Sequence, residues 1–114
     1  MRSIESSSKY LRGRKRCKKR GLDLNILDSV INILATRSFT DSEIITYKVH
    51  NLSGKLRGYQ ELHVDGRSGN WLLVYKIVGN HVKFEDTCVV LENTGTHDEC
   101  LGSSDINLFD LIFV

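Results

Sequence analysis

An α+β fold, with two N-terminal helices packed on one face of a mostly antiparallel four-stranded sheet, is predicted by three features of the sequence. Apolar residues recur at helical spacing only early in the chain. After Gly54 the pattern changes to alternation of polar and apolar residues. WLLVYKIV, apolar on both faces, then supplies the middle of a sheet.

Each element follows from its own residues. RSIES, residues 2–6, suits a short first strand. From Ser7 to Arg20 the chain is polar enough for an exposed helix that buries only Tyr10, Leu11 and Cys17, and Gly21 ends it. Asp23 is placed to cap a second helix over Leu24–Ala35, where Leu24, Leu27, Ile31 and Leu34 form one packing stripe. Residues 36–54 lack clean periodicity and read as a connecting loop with His50 near its end. In LRGYQELHV, residues 56–64, Arg57, Tyr59, Glu61 and His63 share one strand face, and Leu62 and Val64 the other. WLLVYKIV, Trp71–Val78, is apolar on both faces and predicts the central strand. Gly79 and Asn80 supply a tight hairpin turn into a last strand from about His81 to Leu91. Beyond it, INLFDLIFV is either a further strand or an adhesive tail, and an exposed copy would be an edge for aggregation or partner binding.

Composition limits the function classes. A chain of 114 residues with 40% apolar content can bury one core without obligatory cross-links, so one domain is expected. No apolar window of about 18 residues is present and the first residues are charged, which predicts a soluble, cytoplasmic protein with no membrane partner. Cys17, Cys88 and Cys100 are odd in number and lack a CxxC pair, so they read as reduced thiols without zinc or redox chemistry.

The net charge of +2 conceals an asymmetry. Residues 1–20 hold nine basic side chains against Glu5 alone, a balance of +8, while the remainder carries seven basic and thirteen acidic residues, −6. Concentration of positive charge on one helix, including Arg14, Lys15, Arg16, Lys18 and Lys19, is the footprint of a polyanion binder, although a solvated helix face has the same composition.

Histidine titrates near neutral pH, so two imidazoles in different protonation states can act as base and acid together. His50, His63 and His97 can meet at one edge of the predicted sheet, with Glu61 to orient or charge-balance a ring. Such a set can activate an RNA 2′-hydroxyl against its own phosphate while nearby cations hold that phosphate. His81, beside the turn, is assigned no function. Trp71, Tyr75 and Phe84 read as core, whereas Tyr59 on the polar face is either core or a platform for a splayed base. No HExxH type of spacing is present, and no metal or cofactor is expected.

Three blocks in order, HNLSGKLRGYQELHV (residues 50–64), NWLLVYKI (70–77) and NTGTHDECLG (93–102), resemble the YafQ branch of the RelE/ParE superfamily of bacterial type II toxins. KKRGLDL, residues 18–24, is similar to that family's opening, and the likeness extends from about Lys9 to Gly102. The resemblance implies a RelE-like toxin domain over residues 1–102, followed by an apolar C-terminal extension of unassigned role over 103–114. It also implies a ribosome-dependent, metal-independent messenger RNA endonuclease that contacts ribosomal RNA, is neutralised by a cognate antitoxin, and reaches DNA only through the antitoxin complex. By position, His50, His63 and His97 match the family's catalytic histidines and Glu61 its acidic residue two places before the strand histidine. His50 or His63 is then the general base, His97 the general acid, and Arg57 and Tyr59 join the basic helix in holding RNA. The family usually has an acidic residue directly before the tryptophan; here Asn70 stands there, with Asp65 upstream as the other candidate for that role. A catalytically impaired antitoxin-binding module and a gyrase-type protein-binding toxin are the alternatives.

Overall fold

The structure, a computed structural model, describes residues 1–80 and 82–102. In chain order the elements are β1 (Ser3–Ser6), α1 (Ser8–Lys19), α2 (Leu24–Thr36), α3 (Asp41–Thr46), β2 (His50–Asn51), β3 (Gln60–His63), β4 (Leu72–Gly79), β5 (Thr87–Gly95) and α4 (His97–Leu101). The strands form one sheet in the order β1-β5-β4-β3-β2, with β1 parallel to β5 and the other pairs antiparallel. β4 is central, as its two apolar faces require.

The sheet therefore has five strands, not four. The fifth, β2, lies in the stretch expected to be a loop, which also contains α3. A two-residue strand is too short to show a period of two. α3 begins with a reciprocal cap, in which the Thr40 hydroxyl accepts from the Glu43 amide and the Glu43 carboxylate accepts from the Thr40 amide. The expected two-residue hairpin after β4 is also corrected. Gly79 pairs with Thr87, so residues 80–86 form a longer connection that includes a 3-10 turn at Phe84–Asp86. His81 and the extension over 103–114 lie outside the described residues.

α1 and α2 bury their apolar stripes on one face of the sheet. Tyr10 and Cys17 of α1 and Leu27, Val30, Ile31 and Leu34 of α2 pack with Leu62, Val64, Trp71, Leu73, Tyr75, Val89 and Leu91. Each fully buried leucine in this layer contributes about 1.5–3 kcal/mol. Gly13 permits the close approach of α1, since a Cβ there would stand 2.3 Å from the Thr94 carbonyl oxygen. Within the layer the Trp71 indole donates to the Thr94 hydroxyl at 3.0 Å, and that hydroxyl donates to the Leu72 carbonyl at 2.8 Å, so the buried polar atoms are paired.

A bulge decides what reaches the opposite face. Val74 pairs with Asn93 but Tyr75 pairs with Leu91, which leaves Glu92 as the extra residue. Leu91 thus faces the helices with Tyr75, while Asn93 joins Val74 on the other side. Glu61, His63 and Leu72 lie on that second face too, with His50 opposite Glu61.

Candidate active site

Two register facts assemble the centre of this face. His50 on β2 is the cross-strand partner of Glu61 on β3, and His63 is two residues beyond Glu61 on the same side. The His50 Nε2 is 3.6 Å and the His63 Nε2 3.4 Å from one atom, Glu61 Oε1. Glu61 is only 2% exposed, and its second oxygen, Oε2, is buried without a hydrogen-bond partner, as is the Ser53 hydroxyl.

The outer ring nitrogens define the tautomers. His50 Nδ1 is 2.8 Å from the Lys48 carbonyl oxygen, and His63 Nδ1 is 2.8 Å from the Gly69 carbonyl oxygen. A carbonyl only accepts, so both Nδ1 atoms carry hydrogen and donate. When the rings are neutral, each Nε2 presents a lone pair to the same carboxylate oxygen. The two rings thus face one buried carboxylate oxygen that can balance the charge of either imidazolium, an arrangement suited to acid–base chemistry. Lys48 supports it from an uncommon left-handed conformation (φ 51°), which turns its carbonyl toward His50.

His97 stands apart from this triad. It opens α4 and is exposed, and its backbone amide donates to Asn70 Oδ1 at 3.0 Å. Gly95 pairs with Leu72, which pairs with His63, so the end of β5 lies two strand spacings, roughly 10 Å, from His63. The structure thus brings His50, Glu61 and His63 into contact and sets His97 across the face from them. Asp65 is exposed within the β3–β4 turn, where Oδ1 accepts from the Trp71 amide at 3.3 Å and the carboxylate fills the space beside Gly69. Of the two residues considered for the acidic position, Asn70 is the one bonded to His97.

α4 is clamped to α1. Burial alone would raise the Glu99 carboxyl, but the Thr96 amide and hydroxyl and the Arg20 guanidinium hold it at about 2. Glu99 pairs with Arg20 and lies 3.2 Å from Arg16 Nε, and with Thr96 it forms a reciprocal cap. One residue on, burial pushes the Cys100 thiol up to about 12, and the nearby Glu61 charge adds to the effect. Cys100 is a neutral, packed thiol beside the triad, as expected of a structural cysteine.

The predicted RNA-holding residues divide. Arg14 makes a two-pronged pair with Asp28, with Nη2 to Oδ2 at 3.0 Å, and Arg16 is held by Glu99. Lys15, Lys18 and Lys19 are exposed and have no carboxylate partner among the described residues. Arg57 is exposed; Tyr59 is half-buried, with the Lys76 ammonium 4.9 Å from its ring centroid. Sequence reasoning missed Lys76. Its signal was readable as the single charge in the otherwise apolar central strand.

Residues 2–102 match the family model described as the bacterial toxin of type II toxin–antitoxin system, YafQ. The mRNA interferase toxin YafQ of Escherichia coli strain K12 is 32% identical over 101 residues, covering 89% of this chain and 97% of that protein. A crystal structure of YafQ from Escherichia coli strain BL21(DE3) is 28% identical, covers 90% of this chain and all of its own, and superposes with a TM-score of 0.72. The Escherichia coli DinJ–YafQ toxin–antitoxin complex gives 33% identity, coverage of 84% and 92%, and a TM-score of 0.64. A metal-bound toxin from Helicobacter pylori is 32% identical, with coverage of 87% and 98% and a TM-score of 0.66. With the match running through both the helical layer and the histidine face, the chain belongs to the YafQ family of bacterial type II toxin–antitoxin toxins.

Proposed function

We propose that this chain is a ribosome-dependent endoribonuclease that cleaves messenger RNA by histidine acid–base catalysis. The observation that carries the reading is the pair of imidazoles whose Nε2 atoms face one buried carboxylate oxygen. The curated relative in Escherichia coli is named an mRNA interferase, which agrees with that chemistry.

In the proposed reaction, His50 or His63 takes the proton of the ribose 2′-hydroxyl through Nε2. The freed oxygen attacks the adjacent phosphorus, the bond from phosphorus to the 5′-oxygen breaks, and His97 donates a proton to that leaving oxygen. The products are a 2′,3′-cyclic phosphate and a 5′-hydroxyl. Glu61 balances the imidazolium formed at the base, and the Lys48 and Gly69 carbonyls hold the Nδ1–H tautomer that leaves Nε2 basic. Asp65 acts indirectly, by closing the turn that presents the Gly69 carbonyl to His63.

The reaction proposed needs no metal. His50 or His63 as base and His97 as acid account for both proton transfers, so no step calls for a metal-bound water. Lys15, Lys18 and Lys19, with Arg57, supply positive charge for ribosomal and messenger phosphates. A cognate antitoxin neutralises the activity, as the DinJ complex of the Escherichia coli relative suggests, and DNA is reached only through the antitoxin. No helix of the described residues is long and apolar enough to cross a membrane, and the ribosomal substrate places the activity in the cytoplasm.

Primer extension on a defined message translated in vitro tests this reading, using the wild-type protein, His63→Ala and His97→Ala, with and without ribosomes. The expected result is cuts that need ribosomes, survive a transition-metal chelator that spares Mg²⁺, and fall by about 10²–10⁴-fold in each variant. Cuts that persist in both variants would overturn the site assignment. Cuts abolished by that chelator would overturn metal independence, the decisive comparison given the metal-bound Helicobacter pylori relative.

A further inference from the structure

We propose that Lys76 is a substrate-binding residue that holds the RNA phosphate next to the scissile one, with Tyr59 fixing its ammonium in place. The inference rests on the RNA-cleavage reading and adds a residue to it.

Register places Lys76 on the face of the histidine triad. β3 pairs with β4 as Glu61 with Val74 and Gln60 with Tyr75, so the next position brings Tyr59 opposite Lys76. Tyr59, Glu61 and His63 alternate onto one face, and Lys76, Val74 and Leu72 are their neighbours there. Lys76 therefore lies one same-face step, roughly 7 Å, from the level of Glu61. That is comparable to one nucleotide step of an extended single strand.

Its surroundings are unusual for a lysine. It is the single charged residue of β4, is half-buried, and is paired on its other side with Val90 of β5. No carboxylate among the described residues lies within ion-pair distance of its ammonium. Instead Nζ stands 4.9 Å from the Tyr59 ring centroid, a cation–π contact that restrains a flexible side chain without neutralising it. A restrained, uncompensated cation beside a proton-transfer triad suits a phosphodiester oxygen. One step away from the triad, it binds substrate and transition state alike, so its loss should raise KM and leave kcat in place.

Cleavage kinetics on programmed ribosomes test this with wild-type protein, Lys76→Gln, Lys76→Arg and Tyr59→Leu, together with thermal melts. Lys76→Gln should raise KM by about threefold to fivefold, the worth of one screened ion pair, with kcat and melting temperature kept. The dependence of log KM on log salt should flatten by about 0.7, the single-strand value for one phosphate. Lys76→Arg should restore KM, and Tyr59→Leu should raise it in part. Titration onto a message whose reactive 2′-hydroxyl is replaced by hydrogen reads the same loss as binding alone. Unchanged KM and salt slope in Lys76→Gln would refute the proposal, as would a fall in kcat alone. Absence of cleavage by folded wild-type protein would instead refute the nuclease reading, and an unaltered salt slope for the deoxy message would then also remove Lys76.

Discussion

Asn70 and His97 are joined by one hydrogen bond, and it accounts for a departure from the family pattern. An amide cannot exchange a proton near neutral pH, but Oδ1 can accept from the first amide of α4 as a carboxylate would. Asn70→Leu is therefore expected to lower the cleavage rate constant about tenfold, the order of one misplaced catalytic hydrogen bond, while Asn70→Asp stays near wild type. Single-turnover cleavage checks both, and equal losses in the two variants would rule out the positioning role. Strand alternation in LRGYQELHV was enough to put Glu61 and His63 on one face. The contact with His50 was not readable, because it depends on a register between β3 and a strand of two residues. The tether from Asn70 was equally hidden, since it spans 27 positions and requires the bulge after Val74 to bring the end of β5 into line.

Among the elements, α4 is the one whose stability decides where His97 stands. It has five residues, too few to persist on propensity alone, and it is held by the Thr96–Glu99 cap and by Glu99 to Arg16 and Arg20. The folded Glu99 carboxyl lies at about 2 against an ordinary 4.5. A depressed carboxyl contributes stability above the unfolded value and loses it as pH falls through the folded one. Acid melts should accordingly show stability declining from about pH 4.5 toward 2, and Glu99→Gln should be less stable at neutral pH and flatter across that window. Parallel curves for the two proteins would remove Glu99 from the account. α2 was legible because its stripe is long and capped by Asp23, and α1 because a polar run with few residues to bury ends at Gly21. α3 carried the readable signal Thr40-x-x-Glu43 but too few residues for periodicity. The hairpin dipeptide Gly79–Asn80 misled because such a pair favours a tight turn without enforcing one; the ladder partner of Gly79 is Thr87.

For the whole molecule, the excess of positive charge in the first 20 residues is partly consumed inside the fold. Lys9 answers Glu92, Arg14 answers Asp28, and Arg16 and Arg20 answer Glu99, which leaves Arg12, Lys15, Lys18 and Lys19 as the outward field of α1. Changing the three lysines of that field to glutamine should weaken ribosome association and flatten its dependence on log salt by about 2, whereas Arg14→Gln should mainly lower the melting temperature. Binding isotherms at several salt concentrations decide it, and an unchanged slope would direct attention to another surface. Charge asymmetry was visible in composition; which cations stay available was not, because the carboxylates that claim them are distant in sequence. The same long reach governs how the protein comes into being. β1 is the first strand made, yet Ser3 pairs with Cys88 and Ser6 with Leu91. A nascent chain cannot complete its sheet until β5 has been synthesised and has cleared the exit tunnel, so the His50–Glu61–His63 cluster emerges before the scaffold that braces it. Competence for the proposed chemistry therefore waits on synthesis of Thr87–Gly95, the strand to which the first strand must pair.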